Sequence, residues 1–388
     1  VQLTWLRQPF LAFRFSGGTS EELLVRPEEG GMDVQKVAGS LELKAGQAVD
    51  RVGQMLGLPF PAGPQLEQLA AHSTKRFPAK PAMKGCDCSL SGVENRCRFM
   101  LEKGEAPADI AQYCLDFLTV SLCSMTEALL KKCGCTTGFM RNNSFYLAVP
   151  SDVTEVEKRA YFDLIAHSAY NTHNIFVVEK PLAAALGENV NVKSKKGMMI
   201  VDMGAGTTEI TVITMGGIVV SKLLKVGGNT INASICQLVK ERHHLVIGDK
   251  TAEYLKLELG HAIPGQGRGK TVFGRDVITG LPSKAEVSDH LVFDSMKNYL
   301  FQVVRTIRNI METIPPELSG DIIENGIYFT GGTTLIPELD RLFNASLRVK
   351  VVFAPKPLES TVRGLGVIMD HASDYKDLTF SLRDAAFE

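Results

Sequence analysis

The sequence lacks most of the features that mark a specialised class of protein. Its 42 Lys and Arg stand against 43 Asp and Glu, a formal net charge of −1, so no global attraction to nucleic acid is read from it. No apolar run reaches the ~20 residues that a membrane-spanning helix needs. The opening residues, from Val1, contain no basic stretch leading into an apolar one, so no secretory signal is expected. The missing initiator Met suggests a fragment or a processed chain. Cysteine is present but badly spaced for zinc. Seven of the eight lie between Cys86 and Cys135, and the closest pairs are Cys86-x-Cys88 and Cys133-x-Cys135, whereas zinc sites favour two or more intervening residues. Reduced thiols in a cytoplasmic chain are the expectation. With 45% hydrophobic and 22% charged residues over 388 positions, the composition is that of a soluble globular protein with room for two or more domains.

One stretch organises the rest, Lys196 to Ser221. Met198 to Met203 is a short apolar run holding one acid, Asp202, and predicts a buried strand. Gly204, Gly206, Thr207 and Thr208 follow, then the strand-like run Glu209 to Ile213. Glycines in a tight turn accept φ > 0 and let backbone N–H groups approach an anion. Thr207 and Thr208 add hydroxyl donors. Asp202 at the strand end suits Mg²⁺ held through water, because that ion keeps most of its hydration shell. The hairpin could cradle the β- and γ-phosphates of a nucleotide. A glycine-turn hairpin with no ligand would read the same.

Before this stretch, Pro9 to Val25 predicts strand, turn and strand around Ser16-Gly17-Gly18-Thr19, with a loop over Arg26 to Asp33. Ala45 to Leu56 has helical spacing, Gln65 to His72 predicts a short helix, and Phe77 to Cys88 a loop. Ser91 to Lys103 and Pro107 to Lys132 predict helices, the second with Pro107 where a missing N–H costs least. Gly134 to Asn143 is polar and marks a junction. Ser144 to Val149 predicts a strand, a helix is expected after Ser151 or Thr154 as cap, Asn174 to Val178 a strand, and a helix opens near Pro181 with small alanines behind it. Beyond the central stretch, Gly227 to Lys240 leads into a helix. Gly248 to Gly260 predicts another, capped by Thr251, with Glu253 and Lys256 three apart on one face. Such a pair is most often a solvated ion pair worth little. Gly274 to Pro282 reads as a hairpin and Phe293 to Ile314 as a long amphipathic helix. Gly326 to Ile336 reads as strand, Gly331-Gly332-Thr333 turn and helix start, and the tail from Asp374 as polar and loose.

The wording VDMGAGTTEITVITMGGIV resembles the second phosphate loop of the actin, sugar-kinase and 70-kDa-chaperone superfamily, most closely the bacterial actins of the MreB/Mbl family. That resemblance runs from Ser144 to about Lys376. It implies the α/β, ribonuclease-H-like fold of an actin-like, two-lobed ATPase with a nucleotide cleft between the lobes. It further implies ATP and Mg²⁺ as cofactors, Gly204, Gly206, Thr207 and Thr208 on phosphate, Glu253 and Lys256 on the ribose, and Gly331, Gly332 and Thr333 at the adenosine. The helix at Pro181 would be the hinge between the halves.

A second resemblance covers roughly residues 8 to 132. QPFLAFRFSGGT, GQAVDRVG, LGLPFPAGP and CSLSGVE are similar to the later part of the TsaD/Gcp family, associated with threonylcarbamoylation of tRNA adenosine. There the SGGT turn contacts nucleotide, which makes Ser16, Gly17, Gly18 and Thr19 candidates. The metal-binding histidine pair of that family cannot form, since His72 is the only histidine before His167. The expected division is a TsaD/Gcp-like lobe over 1–135 and an MreB-like lobe over 136–388.

Four departures from the pattern bear on chemistry. The first phosphate hairpin is missing. Lys180 stands where the MreB-like pattern carries a carboxylate that orients the attacking water, and a charged Lys cannot accept a proton. Glu179, one residue away, is the nearest acid, and with Thr207 makes up the candidate catalytic pair. Asn229, Thr230 and Asn232 replace acids, and Thr333 replaces a glycine. Loss of one transition-state group costs ~3–4 kcal/mol of barrier, so hydrolysis is expected to be slow or absent. The function implied is that of an ATP-binding, cell-shape filament protein that self-associates and is cytoplasmic, with or without membrane association. The alternatives are a TsaD-type tRNA-modifying enzyme or its degenerate paralogue, and a non-catalytic nucleotide-binding scaffold.

Overall fold

The computed structural model describes residues 10–16, 19–28, 31–132, 143–151, 172–264 and 267–381. The chain divides into two compact units, Val1–Ser144 with Tyr161–Asn174, and Phe145–Ala160 with Ile175–Glu388. The junction expected after Cys135 and the helix expected after Ser151 lie outside the described residues.

The first unit opens with an antiparallel sheet of β1 (Phe10–Ser16), β2 (Thr19–Glu28) and β3 (Gly31–Gly39), in that order. The loop expected over Arg26 to Asp33 is instead a hairpin, with Arg26 opposite Asp33 in register. Helices α1 (Ala45–Met55), α2 (Gly63–Ala70), α3 (Gly92–Glu102) and α4 (Pro107–Lys132) follow. A small hairpin, β4 (Ala82–Lys84) and β5 (Asp87–Ser89), interrupts the expected loop before Cys88. The core is built from the apolar faces of these helices, including Val52, Leu66, Val93, Ile110, Met125 and Leu129. Asp109 in the first turn of α4 is buried and accepts from the Ser73 hydroxyl and the Thr74 and Lys75 amides at 2.8 to 3.0 Å. It thereby caps the chain that arrives from α2.

Strands β6 (Asn143–Val149) and β7 (Thr172–Glu179), most of whose residues belong to the second unit, form one sheet with the late strand β16 (Thr379–Ser381), in the order β16-β7-β6. The tail expected to be loose therefore pairs antiparallel with β7, Thr379 opposite Val178. Helix α5 (Lys180–Gly187) leaves β7 directly. The main sheet has the order β10-β9-β8-β14-β15: β8 (Met198–Met203), β9 (Thr208–Thr214), β10 (Gly217–Leu224), β14 (Ile327–Thr330) and β15 (Val351–Phe353). A third sheet joins β11 (Leu245–Val246), β12 (Gly269–Asp276) and β13 (Pro282–Ser288).

The apolar run of β8 is continuous because both of its faces are covered. Met199, Val201 and Met203 face one core with Ile231, Ile235 and Val239 of α6 (Gly228–His243) and Val303 of α8 (Asp289–Thr313). Met198 and Ile200 face the other core with the leucines and alanines of α5. The long helix α8 starts four residues earlier than its apolar pattern, because the Ser288 side chain accepts from the Leu291 amide and caps it. Helix α7 (Asp249–Leu259) has Gly248 at its cap with no side-chain bond, so Thr251 does not cap it. Helices α9 (Pro316–Asn325), α10 (Leu339–Leu347) and α11 (Ser360–Asp370) complete the unit. Helix α5 packs closely on α11 of the same unit. A Cβ on Gly364 of α11 would collide with the Ala183 carbonyl.

Candidate functional site

β8 and β14 run parallel as neighbours, with Asp202 opposite Thr330. Their carboxyl ends therefore deliver two loops to one sheet edge, the place where open α/β sheets bind ligands. The first loop is the tight turn of residues 204–207, closed by the Gly204 amide donating to the Thr207 carbonyl at 2.9 Å. The second is residues 331–335. Here the expected helix start is a single 3-10 turn (Gly332–Leu335), while α10 begins only at Leu339.

Three contacts assemble the edge. The Thr333 hydroxyl donates to the Gly204 carbonyl at 2.8 Å. The amides of Gly228 and Asn229, at the start of α6, donate to the carbonyls of Gly204 and Ala205 at 3.1 and 2.8 Å. Lys256 of α7 donates to the Gly228 carbonyl at 3.2 Å. Burial lowers the pKa of the Lys256 ammonium, opposed by the nearby Glu253 carboxylate, which itself stays exposed. A Cβ on Gly228 would sit between the Thr333 hydroxyl and the Lys256 ammonium, at 3.1 and 3.3 Å. Residues from four separate stretches, Gly204 to Thr207, Gly228, Lys256 and Gly331 to Thr333, thus meet within one unit.

Thr208 does not join them. Its hydroxyl is fully buried, donates to the Val226 carbonyl at 2.9 Å and accepts from the Tyr299 hydroxyl at 2.8 Å. Thr208 is the first residue of β9, whose next five residues are buried too, while Thr207 stays in the turn before it. The hydroxyl of Thr208, expected on phosphate, is thus taken up by Val226 and Tyr299. Ser16 and Thr19 are register partners closing the β1–β2 hairpin of the other unit, and Gly17 and Gly18 lie outside the described residues.

Lys180 Nζ lies 2.5 Å from Asp202 Oδ2, with the carboxylate side chain 8% exposed and the lysine 31%. The other oxygen, Oδ1, would lie only 2.4 Å from a Cβ on Gly331. The carboxylate is thus held by an ammonium on one oxygen and closely approached by the Gly331 loop at the other. Glu209, directly across the hairpin from Asp202, is buried and accepts from the Ser151 amide at 3.0 Å and the Ser151 hydroxyl at 2.5 Å. Burial raises its carboxyl pKa, the Ser151 bonds and the Lys180 charge counter this, and Asp202 adds to the rise. These acids do not fit Mg²⁺ held through Asp202, because a cation is already on that carboxylate and Glu209 is committed to Ser151. Asp202, expected to hold Mg²⁺ through water, is instead paired with Lys180. Among the described residues no cluster of His, Cys, Asp and Glu has the form of a metal site. Glu179 is the last residue of β7 and the cap position of α5, and it is Lys180, the first helical residue, that reaches Asp202.

Sequence reasoning did not single out Glu209. The available signal was an acid placed directly after the two threonines, inside a strand otherwise made for burial.

Known proteins place this architecture. The MreB/Mbl protein family matches residues 114–377, and the family of tRNA N6-adenosine threonylcarbamoyltransferase matches residues 2–160. The cell shape-determining protein Mbl of Bacillus cereus is 32% identical over 252 residues, 64% of this chain and 75% of the relative. The cell shape-determining protein MreB of Escherichia coli K12 is 35% identical over 239 residues, 61% of this chain and 68% of the relative. MreB5 of Spiroplasma citri bound to ADP superposes with a TM-score of 0.60 at 30% identity, covering 66% of this chain and 77% of that one. The actin-like α/β fold expected from the hairpin at Asp202 is the fold found. With over half of its length matched and the Asp202 hairpin, the Lys256 helix and the Gly331 loop gathered at one sheet edge, the chain belongs to the MreB/Mbl family.

Proposed function

We propose that the second unit binds an adenine nucleotide at the carboxyl ends of β8 and β14, and that the chain works as an ATP-binding, cell-shape filament protein with slow or absent hydrolysis. The observation carrying this reading is the convergence of the Gly204–Thr207 turn, Gly228, Lys256 and Thr333. The turn and the side-chain-free α-carbons of Gly228 and Gly332 leave backbone for phosphate and purine to lie against. Lys256 donates to a backbone carbonyl at the same edge and can turn to a ribose or phosphate oxygen. The nucleotide in the Spiroplasma relative, and the cell-shape role in the names of the Bacillus and Escherichia relatives, support the assignment.

Slow turnover follows from Lys180. An ammonium at the start of α5 cannot take a proton from water, and Glu179 beside it is the only acid of the expected catalytic pair, with Thr207. Self-association and a cytoplasmic setting, with or without membrane contact, belong to the same reading. No helix among the described residues is long and apolar enough to cross a membrane. For the first unit we assign no carbamoyl transfer: its lone early histidine, His72, is exposed and bonded through Nδ1 to the Gln68 carbonyl at 2.8 Å.

The test is calorimetric titration of the chain with ATP and ADP, beside Lys256→Met. Micromolar binding, weakened about tenfold or more in the variant, is the expected result. Absence of binding to the intact chain would sink the nucleotide reading. Light scattering after ATP addition then tests assembly, and a signal that never rises would remove the filament role.

A further inference from the structure

The Lys180–Asp202 pair stands at the phosphate end of the proposed site, and this inference rests on that reading. Asp202 is mostly shielded, while nearly a third of the Lys180 side chain remains open. The lysine is the first residue of α5, so its backbone is fixed by the helix that packs against α11. Its charge also reaches Glu209, the second buried carboxylate of the hairpin. One ammonium therefore faces two acids beside a turn whose amides are suited to an anion.

A divalent cation entering through Asp202 would have to break this ion pair and stand next to the displaced ammonium. Like charges at such a distance repel strongly where water is scarce. A lysine ammonium carries one positive charge and three donors. It can neutralise part of a polyphosphate while staying on Asp202, the service that a hydrated Mg²⁺ would otherwise give.

We infer that Lys180 takes the place of the metal, so that this chain binds nucleoside di- and triphosphates without needing a divalent cation. The ligand class is the free, metal-less polyphosphate of an adenine nucleotide. The specificity residue is Lys180, positioned by Asp202.

The experiment is titration of the full chain with ATP and with ADP, once in excess EDTA and once in excess Mg²⁺, for the natural sequence and for Lys180→Met. Affinity of the natural chain should change by no more than about threefold between the two buffers. In Lys180→Met, affinity in EDTA should fall about tenfold or more. Binding that depends on Mg²⁺ in the natural chain, by about tenfold or more, would overturn the metal replacement while leaving the nucleotide site standing. Equal EDTA affinity for both chains would also overturn it. Lack of binding in either buffer would overturn the nucleotide reading and this inference with it. Should Lys180→Met fail to fold, shown by loss of a cooperative thermal transition, the EDTA and Mg²⁺ comparison on the natural chain decides alone.

Discussion

The hydroxyl of Thr333 donates to the carbonyl of Gly204 across 2.8 Å, tying the loop after β14 to the turn after β8. The two residues are 129 positions apart in sequence. A glycine at position 333, as the family pattern has it, could not make this tie. Gly204 also accepts from the Gly228 amide, so the carbonyl keeps one partner when Thr333 is changed. Thr333→Val should cost about 1 kcal/mol, a fall of roughly 2–4 °C in the melting midpoint of a unit this size. An unchanged midpoint by calorimetry would mean that the tie contributes nothing.

Gly331 has a φ of 91°, and a Cβ there would run into the Asp202 carboxylate and the Met203 carbonyl. Neither obstacle is the loose end of a flexible chain. At Gly332 a Cβ meets only the tip of Leu358. Gly331→Ala should therefore cost about 2 kcal/mol or more, and Gly332→Ala under about 1 kcal/mol. Urea denaturation of the two variants side by side checks the ordering, and equal losses would contradict it.

Thr208 and Tyr299 make a buried relay to the Val226 carbonyl. Removing the outer member leaves Thr208 bonded, whereas removing Thr208 strands both neighbours. Tyr299→Phe should cost about 1 kcal/mol and Thr208→Val about 2–3 kcal/mol. If Thr208→Val instead kept full stability and lost nucleotide affinity, Thr208 would be a ligand donor after all.

In the first unit Glu22 is buried, its Oε1 accepting from the Thr126 hydroxyl at 2.7 Å and its Oε2 with no hydrogen-bond partner among the described residues. Burial pushes its pKa up to about 7 from 4.5, opposed by the Thr126 bond and aided by the Asp87 charge. A carboxyl whose folded pKa is raised favours the folded state below the unfolded pKa, and that advantage is lost as pH climbs through the folded value. Stability should fall between about pH 4.5 and pH 7, by roughly 3 kcal/mol in total at this shift. Glu22→Gln should flatten the thermal-midpoint profile over this window and raise the midpoint above pH 7. A profile identical to that of the natural chain would refute the assignment.

Much of this architecture could be read from the chain because local and tertiary demands agree. The run Met198 to Met203 is apolar at every position but Asp202, so it had to be a strand covered on both faces, and the glycines after it had to be a turn. The spacing of α8 and the proline opening α4 were equally plain. The hairpins at Arg26 to Asp33 and Ala82 to Ser89, and the pairing of Thr379 with Val178, were hidden, because their partners rather than their composition make them strands. At the site, the residues on the turn could be named from glycine chemistry. The fate of the hydroxyls could not, because the boundary between turn and buried strand falls between Thr207 and Thr208. Lys180 was visible as a departure from the pattern, but its partner was not, since ion pairing between β7–α5 and β8 is a tertiary fact.

β16 has a practical side. Thr379 is the register partner of Val178, two residues before the lysine that holds Asp202. A fluorescent reporter joined just past Ser381 would hang from the strand paired with β7, the strand that leads into Lys180. The tip of the β12–β13 hairpin, where Asp276 is bonded to the Thr279 amide and hydroxyl and Ile278 lies exposed, sits on a different sheet. A label there would leave that strand untouched.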